Sequence, residues 1–327
     1  MYKIYRLTGL AALSLAAISL LNSCEETTKG NSEEDVEMFI YELELEKVTT
    51  NSFTQKVNLL VQNNAFSREF IQMDGKRSIG YFDEKNDIYF NQDIATSNFS
   101  FNKGIQKYLG DYAPSLPAQR DAEGIAMDFL QKNKFLQADN NEIKLLHSGG
   151  LRADAGPNGA VIDKMRTVTF GRTIDNIAVM GSGSKIVVNI GDKNEITGLV
   201  YKWRNIIVKS KKAVTKEEMV SRESAKKEFN VLITEQFGRE AKVNIEEFNL
   251  IYYDGDGRYI QPVYGIRATV TIQLSKGKTN EIPYMTYVNA LKKPAEKLKI
   301  FDGTIEGKKR VNREKEGNGS SNSEGKD

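Results

Sequence analysis

Phe170-Gly-Arg-Thr-Ile-Asp-Asn-Ile-Ala-Val-Met-Gly-Ser-Gly-Ser-Lys-Ile-Val-Val-Asn-Ile190 is the stretch on which the fold reading turns. From Met165 the pattern is strongly β, and Thr167–Ile174 reads as a strand rich in β-branched residues. Asp175-Asn176 is a turn signal, Ile177–Met180 a short apolar strand and Lys185–Ile190 a second β-branched one. Gly181-Ser-Gly-Ser-Lys185 has the composition of a phosphate loop. Such a loop must open a helix, so that the helix amides meet the phosphate. Strand residues follow instead, and a hairpin turn is expected. Gly191-Asp-Lys-Asn194 is another turn, leading into Glu195-Ile-Thr-Gly-Leu-Val-Tyr-Lys-Trp-Arg204.

Outward on the C-terminal side, Thr215-Lys-Glu-Glu218 is a capping box. It predicts a helix to about Phe237 with Met219, Ala225, Phe229, Leu232 and Ile233 on one face. Strands follow at Val243–Tyr253, Tyr259–Gln273 and Ile282–Val288, and residues 303–327 read as a disordered tail. On the N-terminal side, Pro114 and Pro117 precede an amphipathic helix from Ala118 to about Lys134, with Ile125, Met127, Phe129 and Leu130 as its apolar face. A strand is expected at Glu142–His147, then a mobile loop through Gly149-Gly150 and Ala153–Gly159. Residues 36–113 read as a β-rich region: a strand from Ile40, then strand-like stretches at Phe53–Gln62, Phe66–Met73, Ser78–Phe82 and Ile88–Phe90. Helix followed by strands thus occurs twice, over 118–206 and over 215–300.

The Phe170–Ile190 stretch resembles the core of PepSY-like and thermolysin-propeptide-like domains: a strand, a short turn, Ile-x-Val, a glycine, then a Val-rich strand. Gly198-Leu-Val, Trp203-Arg204, Gln261-Pro-Val-Tyr-Gly-Ile-Arg-Ala268 and Tyr287-Val-Asn-Ala290 extend the resemblance over about Ala118 to Ala290. It implies an α+β fold of tandem helix-on-antiparallel-sheet, cystatin-like units, preceded by the β-rich N-terminal region. Such domains in propeptides bind and restrain a protease. No protease follows here, because His-Glu-x-x-His needs two histidines and the chain has one.

The N-terminus is an address. Lys3 and Arg6 precede an apolar stretch from about Leu7 to Leu21, too short for a membrane span of about 20 residues. Leu21-Asn22-Ser23-Cys24 resembles the lipobox of bacterial lipoproteins. Residues 1–23 are therefore read as a signal peptide, Cys24 as the lipidated residue and 24–35 as a flexible tether. The resemblance implies a multiply acylated cysteine, palmitate included. Glu25 and Glu26 match the acidic surface-export signals of Bacteroidota lipoproteins. The expected location is the cell envelope, lipid-anchored in the outer membrane, facing the periplasm or the surface.

Cys24 is the only cysteine and His147 the only histidine among 327 residues. A zinc site of several His and Cys ligands and a cysteine nucleophile are thereby excluded, as is any internal disulfide. A Ser-His-Asp arrangement could use only His147, which reads as a strand-end residue. Asp254-Gly-Asp-Gly257 begins like a calcium loop but runs into a strand, so a β-turn is expected. Glu246-Glu247 lacks any partner motif for glycosidase chemistry, and Lys209–Lys212 reads as a solvated linker. Net charge is +2 with both signs interspersed, which gives no general attraction to nucleic acid. No catalytic, cofactor or metal residue is assigned. The expectation is a membrane-anchored lipoprotein, not an enzyme, that binds a protein or peptide partner and in one form of that role modulates an exported protease. A structural or adhesion lipoprotein is the alternative, and a carboxylate-based hydrolase the third reading.

Overall fold

A computed structural model describes residues 37–61, 66–136, 141–154, 161–274 and 278–298. The leader, Cys24, the tether, residues 155–160 of the expected loop and the tail lie outside the described residues. The elements are β1 (Phe39–Glu42), α1 (Thr50–Val61), β2 (Ile71–Asp74), β3 (Ser78–Asp83), β4 (Ile88–Asp93), β5 (Phe99–Lys103), α2 (Gln119–Lys132), β6 (Ile143–Asp154), β7 (Val161–Ile174), β8 (Ile177–Gly181), β9 (Lys185–Ile190), β10 (Ile196–Lys202), β11 (Lys212–Ala213), α3 (Arg222–Phe237), β12 (Lys242–Asp254), β13 (Tyr259–Gln273) and β14 (Thr279–Asn289).

The chain does not form the tandem helix-on-sheet units that the PepSY-like resemblance implied. Fourteen strands join in one mixed sheet, and the described residues hold three α-helices. Pairings between distant segments produce this result. β5, from the N-terminal region, pairs antiparallel with β10, Phe99 opposite Tyr201 and Asn102 opposite Gly198. β1 pairs with both β11 and β13, and β8 runs parallel to β12. Hydrophobic periodicity reports which face a residue takes, and says nothing about which strand lies beside it.

Two compact units are present. The first comprises the described residues up to Ala213 together with Tyr252–Gln261. The second comprises Val214–Ile251 and the described residues from Pro262. In the first unit α1 and α2 pack on one side of the sheet. Phe53, Val57, Leu60 and Val61 of α1 and Ala122, Ala126 and Leu130 of α2 are buried against Tyr81, Phe90, Phe101, Val168, Val188 and Leu199. Register puts these last six in one row across β3, β4, β5, β10, β9 and β7. In the second unit α3 buries Ala225, Phe229 and Ile233 against Phe248, Ile266, Ala268, Val270 and Val288.

Local expectations are corrected in four places. Of the stretch read as a strand at Phe53–Gln62, residues 53–61 belong to helix α1 and Gln62 lies outside the described residues: the buried apolar residues fall at i, i+4, i+7 and i+8, one helical face. Thr49 and Ser52 cap it reciprocally, each hydroxyl accepting the other's amide, at 3.1 and 3.0 Å. The buried stripe of α2 is Ala122–Ala126–Leu130, while Ile125, Met127 and Phe129 are only partly buried. The Thr215 capping box is present but closes a single turn, Lys216–Glu218; α3 starts anew at Ser221, whose Oγ accepts the Ser224 amide. Gly149-Gly150 lies inside β6, opposite Thr167 and Arg166, and a Cβ on Gly150 would stand 2.8 Å from the Met165 carbonyl oxygen. No helix among the described residues is long and apolar enough to cross a membrane.

Candidate binding face

Side chains alternate across a strand, so the residues between the helix-facing ones point to the opposite side of the sheet. In the first unit these are polar and small. One row reads Thr167, Asn189, Gly198, Asn102, Tyr89, Phe82 across β7, β9, β10, β5, β4 and β3. The next reads Thr169, Val187, Val200, Ser100, Asn91, Gly80. None of these twelve belongs to the core under α1 and α2.

Their geometry is that of a flat polar platform. Thr167 Oγ1 donates to Asn189 Oδ1 at 3.1 Å. A Cβ on Gly198 would stand 2.8 Å from Asn189 Nδ2 and 3.0 Å from Asn102 Oδ1, so both amides lean over the glycine. Gly80 plays the same part for Phe82, whose ring would lie 2.2 Å from an added Cβ. Phe82 and Tyr89 meet edge to face, centroids 6.5 Å apart. Most of the platform is half-buried, and Asn91 is exposed. The side chains of Asn91, Ser100 and Asn102 make no hydrogen bond with the described residues.

One end of the platform is anchored by a buried ionic cluster. Val179 pairs with Arg172 and Lys185 with Gly171, so β8 and β9 run end to end along β7; Met180 and Gly181 leave β7 while staying paired with β12, and Ser182–Ser184 is an excursion between the two strands. The expected hairpin turn is thus a loop interrupting one long strand. It wraps Asp254. Gly183 donates its amide to the Asp254 carbonyl at 3.0 Å, and a Cβ there would stand 2.3 Å from the carboxylate. Ser184 Oγ donates to Asp254 Oδ2 at 2.7 Å, the Asp256 amide to Oδ1 at 2.9 Å, and Arg204 lies at 3.5 Å. Arg172 stacks 4.2 Å over Trp203 and donates to Ser184 Oγ and the Arg204 carbonyl. Its Nε is 3.0 Å from Glu142 without hydrogen-bond geometry. Burial holds the Asp254 carboxyl above the usual carboxylate value, against the pull of Ser184 and Arg204. Burial likewise lowers the Arg172 guanidinium. Lys202 and Asn98, on the platform side, are tied to Asp256 at 2.8 and 2.9 Å.

Cys24 lies outside the described residues. His147 sits on β6 opposite Thr169, its ring over Gly149. Asp254, the last residue of β12, and Asp256, in the turn to β13, are engaged as above. Glu246 and Glu247 both pair with Arg267 in the second unit, and Glu246 also accepts from Thr269 Oγ1 at 2.5 Å. Among the described residues no three His, Cys, Asp or Glu side chains are grouped to hold a metal ion. The platform went unread in the sequence. Its signal is the pattern Phe99-Ser-Phe-Asn102, where Ser and Asn take outward positions that a solvated strand more often gives to Lys or Glu.

No family model matches the chain, and no curated protein matches it. Among solved structures, an uncharacterized protein from Eubacterium rectale ATCC 33656 is similar with a TM-score of 0.41 at 11% sequence identity, over 80% of this chain and 86% of that one.

Proposed function

We propose that this chain is a lipid-anchored protein of a bacterial envelope that acts by binding, and that it takes its partner on the helix-free face of the first unit. The lipobox at Leu21–Cys24 supports the anchor. The observation that carries the binding reading is the contrast between the two sides of one sheet. The helix side is closed by Phe53, Val57, Ala126 and Leu130. The other side presents the amides of Asn91 and Asn102 and the Ser100 hydroxyl with no partner among the described residues, beside the Phe82–Tyr89 pair. Polar groups left without protein partners, next to aromatic surface, are the usual makings of a recognition site. The sequence leads to a protein or peptide partner. The face itself commits only to an uncharged, hydrogen-bonding contact.

Two measurements test this. Metabolic labelling with an alkyne-bearing fatty acid should mark the wild-type protein and not Cys24→Ala; equal labelling overturns the anchor. A photo-crosslinking amino acid in place of Asn91, in intact cells, should give adducts that the same group at Lys226 on α3 does not. Absence of adducts at position 91 overturns the binding face.

A further inference from the structure

Resting on the binding face just proposed, we infer that its ligand is a neutral, hydroxyl-rich oligosaccharide. Charge selects this class. The two central rows carry Thr, Asn, Ser, Gly, Val, Tyr and Phe, with no residue charged at neutral pH. Charge begins in the flanking rows, at Lys185, Lys202 and Asp93 on one side and at Glu84 and Asp87 beyond Phe82 and Tyr89 on the other; Asp256 pairs Lys202, Thr96 donates to Asp93 and the Gln106 amide to Asp87. An anionic or cationic polymer would find no counter-charge over the rows, and desolvating its charges would be unfavourable. A protein partner typically seats an apolar core flanked by charge; here the half-buried Val187 and Val200 are enclosed by amides and hydroxyls instead.

The available groups match a sugar chain. Each carboxamide of Asn91 and Asn102 offers two donors and one acceptor oxygen, and the Ser100 hydroxyl offers both functions, as sugar hydroxyls require. Phe82 and Tyr89 supply ring surface for the C–H side of a pyranose. Gly80 and Gly198 keep the surface low, because side chains at these positions would displace Phe82 and the two asparagines. Six strands about 4.8 Å apart give a row of about 24 Å, a length suited to an extended oligomer.

The test is affinity electrophoresis of the full-length protein in detergent, through gels containing amylopectin, dextran, galactomannan or arabinan, with polygalacturonate and heparin as charged controls. Retardation by at least one neutral polymer and by neither control is expected. Tyr89→Ala and Asn102→Ala should each weaken it about tenfold. Tyr89→Phe should retain it, and Arg267→Ala in the second unit should leave it unchanged. Unaltered thermal unfolding of the variants separates lost binding from lost fold. No retardation by any neutral polymer, retardation by the charged controls alone, or retardation indifferent to Tyr89 and Asn102 overturns the inference. If crosslinking from position 91 then yields discrete protein adducts, the face stands as a binding surface and only its ligand class falls.

Discussion

Ser184 Oγ donates a 2.7 Å hydrogen bond to Asp254 Oδ2, joining the excursion between β8 and β9 to the end of β12, 70 residues later. The bond requires Gly183, since a Cβ there would stand 2.3 Å from the same carboxylate. Gly183→Ala must therefore push the loop off Asp254 or displace a side chain that is 1% exposed. Overpacking of this kind costs about 1–3 kcal/mol. Urea unfolding of the variant should show that loss in midpoint with little change in slope; an unchanged midpoint would mean the loop does not close on Asp254.

Asp254→Asn tests the ion pair. It leaves Arg204 buried and deprived of the carboxylate at 3.5 Å, and removing one member of a buried pair costs about 3–5 kcal/mol. Arg204→Met on the same background should recover much of the loss, because the uncompensated charge goes with it. If the double variant is as unstable as the sum of the singles, the two groups are not coupled.

Much of this arrangement was legible and some was not, for one physical reason. Strands β3, β7, β9, β10, β12 and β13 and helices α2 and α3 follow from local periodicity. The ionic cluster draws on three stretches notable in sequence: Gly181–Lys185, Trp203-Arg204 and Asp254–Gly257. Read singly, each stretch indicates a turn or strand end. Only the parallel pairing of β8 with β12 makes them one site. The platform depends still more on register: Thr167, Asn189 and Asn102 adjoin only because β5 pairs with β10 and β7 with β9. Gly149-Gly150 reads as a loop because glycine weakens strands, yet the close approach of β7 requires glycine at 150 and the His147 ring requires it at 149.

Thr49→Ala tests the assignment of Thr50–Val61 as a helix. Thr49 Oγ1 accepts the Ser52 amide, one of the donors that a helix start leaves without an intrahelical partner. Its loss should cost about 1 kcal/mol, and Thr49→Asp should restore it. Were the segment a strand, the two substitutions would behave alike in thermal unfolding.

Tyr201 gives a pH prediction. Its hydroxyl donates to the Phe135 carbonyl at 2.9 Å, and burial, opposed by Arg172, pushes its pKa up to about 12 against 10 for a free phenol. The folded state thus holds this proton more tightly than the unfolded chain does. The resulting stability is complete below pH 10 and is lost as pH rises from 10 through 12. The loss amounts to about 3 kcal/mol, two pH units at about 1.4 kcal/mol each. Tyr201→Phe should cost about 1 kcal/mol at neutral pH, for the hydrogen bond, and should decline less steeply above about pH 10. Other buried tyrosines titrate in both proteins, so the difference between the two curves isolates this one. Parallel curves from about pH 9 to 12 would place the Tyr201 hydroxyl in solvent, away from Phe135.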